Sequence, residues 1–278
     1  MMHVFDPTQC RLGEGPLWHP ERQSLFWFDI LNKQLLGEGA VRQFDEHVSA
    51  AGWVDHDTLL IASESQLFTY DLETGAQAHL VPLEADNPVT RSNDGRADPH
   101  GGFWIGFMGK RTEQGAGAIH RYYRGTVETL FEGITVPNAI CFSPDGQFAH
   151  FTDTTTHQVM RVALDTEGWP IGGGEVFVDT RAEGFFPDGA VIDSDGCLWV
   201  AHWGHGRVAR YDPDGAFMGA VTVPGKRPTC PAFGGEELST LYVTSATMGM
   251  GDTAGSQDGQ TFVIETQATG QREHRVIL

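Results

Sequence analysis

The chain has 278 residues, 40% of them apolar, and a formal net charge of -19, so it can bury a core, and its 35 glycines and 14 prolines read as many tight turns rather than disorder. An acid excess of this size argues against nucleic acid and anionic membrane surfaces as partners, because both attract basic patches. No apolar run is long enough to span a bilayer, and Met1-Met2-His3-Val4 leads into Asp6-Pro7 without a secretory pattern, so a cytoplasmic location is expected.

The predicted elements are short strands separated by Asp, Gly and Pro turns, and they recur. Leu17-Trp18, a turn and Leu25 to Phe28 open the first unit. Trp53-Val54, Leu59 to Ala62 and Gln66 to Tyr70 make the second. The third holds Ala97-Asp98, Phe103 to Phe107 and Ala118 to Tyr123. The fourth runs Ala139 to Phe142, Ser-Pro-Asp-Gly, Phe148 to Thr152 and Val159 to Leu164. The fifth has Ala190 to Ile192, Leu198 to Ala201 and Val208 to Tyr211, and the sixth Pro231 to Phe233, Leu241 to Thr244 and Thr261 to Glu265. Alternation of period two favours strands throughout, and no segment reads as a helix. Units spaced by about 35 to 50 residues fit four-stranded blades. The expectation is therefore an all-β, six-bladed β-propeller, one domain over residues 1–278. Its ring would close with His3 to Phe5 as the outer strand of the last blade, or with the tail Arg272 to Leu278.

Four oxygen-bearing side chains hold one register within these units. Asn138 lies seven residues before Asp145-Gly146, and Asp188 seven before Asp195-Gly196. Asn93 precedes Gly101 by eight, and Glu14 precedes Pro20-Glu21 by six and seven. Units packed about a common axis would bring all four to one mouth of the channel, with the chemistry of a site for a hard divalent cation. The cysteines Cys10, Cys141, Cys197 and Cys230 show no Cys-x-x-Cys spacing and are expected as buried free thiols. Cys230 is expected at the sixth unit's counterpart of Asn138, facing the channel.

Leu12-Gly13-Glu14-Gly15-Pro16-Leu17-Trp18, Arg91-Ser92-Asn93-Asp94-Gly95 with Asp98-Pro99-His100-Gly101, Pro137-Asn138-Ala139, Pro187-Asp188-Gly189 and Cys230-Pro231-Ala232-Phe233-Gly234-Gly235 together resemble the signature blocks of the regucalcin/gluconolactonase family. The blocks span the chain. The resemblance implies a six-bladed propeller with one divalent metal at the channel mouth, and hydrolysis of a sugar lactone to its aldonic acid. It implies Glu14, Asn138 and Asp188 as metal ligands, with Arg91 and Asn93 holding the lactone. A set without histidine or cysteine suits calcium, magnesium or manganese better than a zinc thiolate centre, and the expected cation is calcium, magnesium, manganese or zinc. In hydrolysis of a cyclic ester, Asp188 could accept the proton of the attacking water, while the forked guanidinium of Arg91 orients sugar hydroxyls. Arg91 is expected to pair with Asp94 or Asp98, since an unpaired buried charge is costly.

The chain departs from the family after Met108, where an acidic substrate contact is replaced by Gly109-Lys110-Arg111. Glu113 from a shifted loop, or the basic pair, would take that role, and the segment from Gly109 to Gly117 becomes a candidate lid. Asp153-Thr154-Thr155-Thr156 either presents hydroxyls at the mouth or simply ends a strand. His100, His202 and His205 are expected to pack or be solvated, and Asp98 to fix a turn. Asp193-Ser194-Asp195-Gly196 and Asp212-Pro213-Asp214-Gly215 lack the ligand spacing of an EF-hand, and Gly172-Gly173-Gly174 lacks the Lys of a phosphate loop. Two other functions remain open for such a chain: an esterase or organophosphate hydrolase on the same metal, favoured by an aromatic wall, and a non-catalytic calcium-binding propeller.

Overall fold

The computed structural model describes residues 1–278 and places them in six four-stranded antiparallel sheets. The innermost strands are Gly13–His19, Val48–Trp53, Thr90–Ala97, Pro137–Phe142, Phe186–Ile192 and Pro228–Gly234. Each packs on the next in chain order and the last packs on the first, so the six blades form a closed propeller. Helix is confined to three single 3-10 turns, Ile30–Asn32, Thr154–Thr156 and Gly251–Thr253. None is long and apolar enough to cross a membrane.

The alternation read from the sequence is what fills the spaces between blades. Phe26 and Phe28 of blade 1 pack with Leu59, Ile61 and Phe68 of blade 2, while Phe103, Ile105 and Phe107 of blade 3 pack with Leu60 and Ala62. Each phenylalanine is fully buried, which contributes roughly 1.5–3 kcal/mol apiece. The outer strands Ala40–Gln43, Gln77–Pro82, Thr126–Ile134, Pro170–Asp179 and Phe217–Thr222 are mostly exposed, and their weak pattern is why the sequence shows three strands per unit rather than four.

The ring closes through the N-terminus: His3–Asp6 pairs with Thr261–Glu265 and completes blade 6. The C-terminal tail has a different role. Gln271 Nε2 donates to the carbonyls of Phe142 (3.1 Å) and Ile192 (3.0 Å), and Val276 N donates to Trp53 O (2.9 Å). These acceptors are the last residues of three inner strands, so the tail crosses the far end of the channel. Glu273 in the tail pairs with Arg96 at 2.6 Å.

Every inner strand carries a bulge near its start, between Glu14 and Leu17, Val48 and Ala50, Ser92 and Gly95, Asn138 and Cys141, Pro187 and Ala190, and Pro228 and Pro231. Such bulges re-aim side chains. Two residues on from the carbonyls of Leu12, His47, Val136 and Arg227, which accept from the N–H groups of Ile30, Glu64, Thr154 and Ala246, Glu14, Ser49, Asn138 and Thr229 occupy one equivalent position, while Asn93 and Asp188 lie one residue past the first flank of their bulges. The counterpart of Asn138 in blade 6 is therefore Thr229 and not Cys230, which lies one residue on. The Thr229 hydroxyl donates to Gly13 O and shares a hydrogen bond with the Thr244 hydroxyl. All four cysteines are free and buried.

Candidate active site

At the end of the channel opposite the tail lies a cavity of about 330 Å³ lined by Glu14, Arg91, Asn93, Asn138 and Asp188. The structure thus brings together all five residues singled out from the sequence. They sit at the starts of inner strands rather than in preceding loops. Two aspartates fix the approach to these strands. Asp29 accepts from the backbone N–H groups of Arg11 (2.8 Å) and Leu12 (3.1 Å), and Asp153 from those of Thr135 (2.8 Å) and Val136 (3.2 Å). Each clamp lies two or three residues before an equivalent position, Glu14 in one case and Asn138 in the other.

One hydrogen-bond chain orients the amides. Arg91 Nη1 donates to Ser92 O (2.8 Å) and Asn93 Oδ1 (2.9 Å). Asn93 Nδ2 donates to Pro137 O (3.0 Å) and Asn138 Oδ1 (2.8 Å), and Asn138 Nδ2 donates to Thr154 Oγ1 (2.9 Å), which donates on to Pro187 O (2.7 Å). Both amides have their nitrogens committed as donors, so Asn138 Oδ1 keeps one lone pair for the cavity.

The electrostatics are those of an undercompensated acidic cluster. Burial, then the charge of Asp94, pushes the Glu14 carboxyl up to about 8. Asp188 is raised well above the carboxylate range by burial, then by Glu14 and Asp94. Asp94 rises to about 6 through burial, although its Oδ2 accepts from Ile140 N at 2.8 Å. Arg91 is lowered by burial to about 10, with Glu14 and Glu64 acting in the opposite direction, and so stays cationic at neutral pH. Its expected ion pair with Asp94 or Asp98 does not form. Asp98 instead bonds the fully buried Arg121 at 2.7 Å and accepts from the N–H groups of His100 (2.8 Å) and Gly102 (2.9 Å), which is the turn-fixing role expected of it. No three His, Cys, Asp or Glu side chains group closely enough to hold a metal by themselves; the convergent set is two carboxylates and an amide. Its oxygen-only donors and surplus negative charge fit a hard divalent cation.

The walls follow from strand periodicity. Residues two apart share a strand face, and the residues two before Glu14, Asn93, Asn138 and Asp188 are Leu12, Arg91, Val136 and Phe186, all of which line the cavity. Applied to the sequence, that rule would have found Leu12, Val136 and Phe186. Trp203 and Met248 extend the apolar side, whereas blade 3 supplies a mainly polar side with Arg91, Asn93, Met108 and, from its following loop, Thr112. Met248 and Thr112 carry no such sequence signal. Thr154 and Thr155 do reach the mouth. Glu113 does not: its Oε2 accepts from Arg111 N at 3.0 Å. Nor does the basic pair, since Lys110 Nζ lies 3.1 Å from Pro88 O and 3.4 Å from Glu64. Of the candidate lid, Thr112 alone lines the cavity. His202 is buried, stacked on Phe185 with ring centroids 4.8 Å apart, and accepts from Arg207 Nε at 3.0 Å.

A family model described as the SMP-30/Gluconolactonase/LRE-like region matches residues 12–247. A putative sugar lactone lactonase of Rhizobium meliloti is 40% identical over 97% of this chain and 95% of its own length, and a pentonolactonase of Haloferax volcanii is 34% identical over 96% and 95%. Among solved structures, regucalcin from Agrobacterium tumefaciens, described as a calcium-binding protein, superposes with a TM-score of 0.96 at 42% identity, covering 99% of this chain and 97% of that one. The sequence blocks, the propeller and the matched span agree, and the chain belongs to the SMP-30/gluconolactonase/LRE-like family.

Proposed function

We propose that the protein hydrolyses a sugar lactone to its aldonic acid with the help of one divalent cation, held by Glu14, Asn138 and Asp188. The observation that carries this reading is the convergence of those three oxygens with Arg91 and Asn93 in one cavity whose carboxylates lack enough positive charge of their own. The names of the relatives support the substrate class. A cation bound there would polarise the lactone carbonyl and offset the charge that grows on its oxygen.

The protein's own groups account for the rest of the reaction. Arg91 Nε and Nη2 have no protein partner and are free to hold sugar hydroxyls while Nη1 stays locked to Asn93. The apolar faces of a sugar ring, where its C–H bonds lie, suit Phe186, Trp203 and Val136 on the other side. Asp188 takes a proton from the attacking water as its oxygen bonds to the carbonyl carbon. The ring C–O bond then breaks, the ring oxygen becomes a hydroxyl by taking a proton, and the acid formed is ionised at neutral pH. The same aromatic wall favours a second reading, in which a non-sugar ester is the substrate.

The test is proton release in weak buffer on a panel of aldonolactones and simple esters, with chelated and metal-restored protein beside Asp188→Ala. Metal-dependent acid production from lactones, lost in the variant, supports the proposal. Turnover of esters alone moves the reading to the second substrate class, and no turnover above the spontaneous rate overturns both.

A further inference from the structure

Three threonine side chains line the cavity, Thr112, Thr154 and Thr155. The last two are occupied within the protein. Thr154 Oγ1 donates to Pro187 O (2.7 Å) and accepts from Asn138 Nδ2 (2.9 Å), while Thr155 Oγ1 donates to Asp153 Oδ1 (2.8 Å). The hydroxyl of Thr112 has no partner in the protein. Its backbone sits at φ 62°, a left-handed conformation that is a genuine outlier for a β-branched residue. The turn that imposes it is well tied: Thr112 N donates to Gly109 O (2.8 Å), Arg111 N to Glu113 Oε2 (3.0 Å), Gly115 N to Thr135 Oγ1 (3.1 Å) and Lys110 N to Val89 O (2.9 Å). Strain of this kind in an ordered turn at a ligand cavity points to use rather than accident.

The geometry points to Thr112 as a specificity-determining residue, whose hydroxyl bonds a substrate hydroxyl remote from the reacting carbonyl. This inference rests on the lactonase reading. Thr112 is exposed at the rim on the polar side of the cavity, whereas the acidic cluster is buried at its floor. A lactone with its carbonyl at the floor would present its side-chain hydroxyl toward the rim. The acidic side chain of the same loop, Glu113, is turned inward to its own turn, and Thr112 is the hydrogen-bonding side chain of the loop that lines the cavity.

The experiment compares kcat/KM for a pentono-1,4-lactone and its 5-deoxy analogue in wild type, Thr112→Gly and Thr112→Ser. Loss of one neutral hydrogen bond lowers the ratio of the two values by about two- to tenfold in Thr112→Gly, and Thr112→Ser restores most of it. Glycine accepts a positive φ freely, so the melting temperature of Thr112→Gly stays level or rises, which separates lost recognition from lost folding. A ratio unchanged in Thr112→Gly, or a loss equal on both lactones, overturns the assignment while leaving the lactonase reading intact. Wild-type protein inert toward this pair and toward every other aldonolactone of the panel removes the lactonase reading and this inference with it.

Discussion

The acidic cluster ties metal binding to pH in a way that can be measured without substrate. In the metal-free protein Glu14 moves from an ordinary 4.5 to about 8 and Asp94 from 3.8 to about 6, and Asp188 moves the same way. Above the ordinary carboxylate range the folded chain holds protons that the unfolded chain has released. Stability therefore falls as pH rises from about 4, through 6 for Asp94 and through 8 for Glu14. The Glu14 displacement corresponds to ~5 kcal/mol and that of Asp94 to ~3 kcal/mol, against a typical total of ~5–15 kcal/mol for a native domain. For a chain of this length the melting temperature drops by roughly 10 °C or more between pH 5 and 8. A divalent cation keeps the carboxylates ionised, so its addition removes the downward slope and restores stability at pH 8 by mass action. The assay is thermal unfolding of chelated protein at a series of pH values, with and without calcium, magnesium or manganese, alongside calorimetry of metal binding in buffers of different ionisation enthalpy. Binding at pH 7 should expel about one to two protons. A metal-free melting temperature that is flat or rising from pH 5 to 8, or a slope that no divalent cation alters, would refute the reasoning.

Asp188→Asn keeps an oxygen donor but cannot accept the proton, so kcat falls by about 10²–10⁴ while metal content, read by atomic emission, is largely retained; loss of metal and activity together would make Asp188 a ligand only. Asn93→Ala strips Asn138 Oδ1 of its 2.8 Å donor and lowers metal affinity or activity by about 10- to 100-fold, measured by titration with a calcium indicator and by initial rates. Glu273→Ala leaves the buried guanidinium of Arg96 without the carboxylate now 2.6 Å away and costs about 3–5 kcal/mol in urea unfolding. Glu273→Gln, which keeps a hydrogen-bond acceptor, costs less, and equal effects of the two would show that the charge pair is not the cause.

Much of this molecule is legible in its sequence because the blades repeat one local device. The equal offsets of Asn138 and Asp188 from their Asp-Gly turns reflect equal lengths of bulged inner strand, with Phe142 and Ile192 ending those strands just before the turns. The bulges also explain the small residues next to the site. A Cβ on Gly189 would collide with Cys230, and Gly15 holds φ 54° with Ser49 O in the space a side chain would need. The outer strands were less visible because exposed edges are free to lose alternation, and the tail because most of its hydrogen bonds are to carbonyls, which any residue supplies. Register alone, moreover, says where a side chain goes and not what it does there. Ser49 and Thr229 hold the same position as Glu14 and Asn138, yet the Thr229 hydroxyl bonds the neighbouring backbone and the Ser49 hydroxyl is buried without a partner. Blades 2 and 6 flank blade 1 in the ring and thus place short hydroxyls on either side of Glu14, while the amide and the second carboxylate come from blades 4 and 5. That asymmetry, carried by residue type on a repeated inner strand, is what turns a repeating ring into a single directional site.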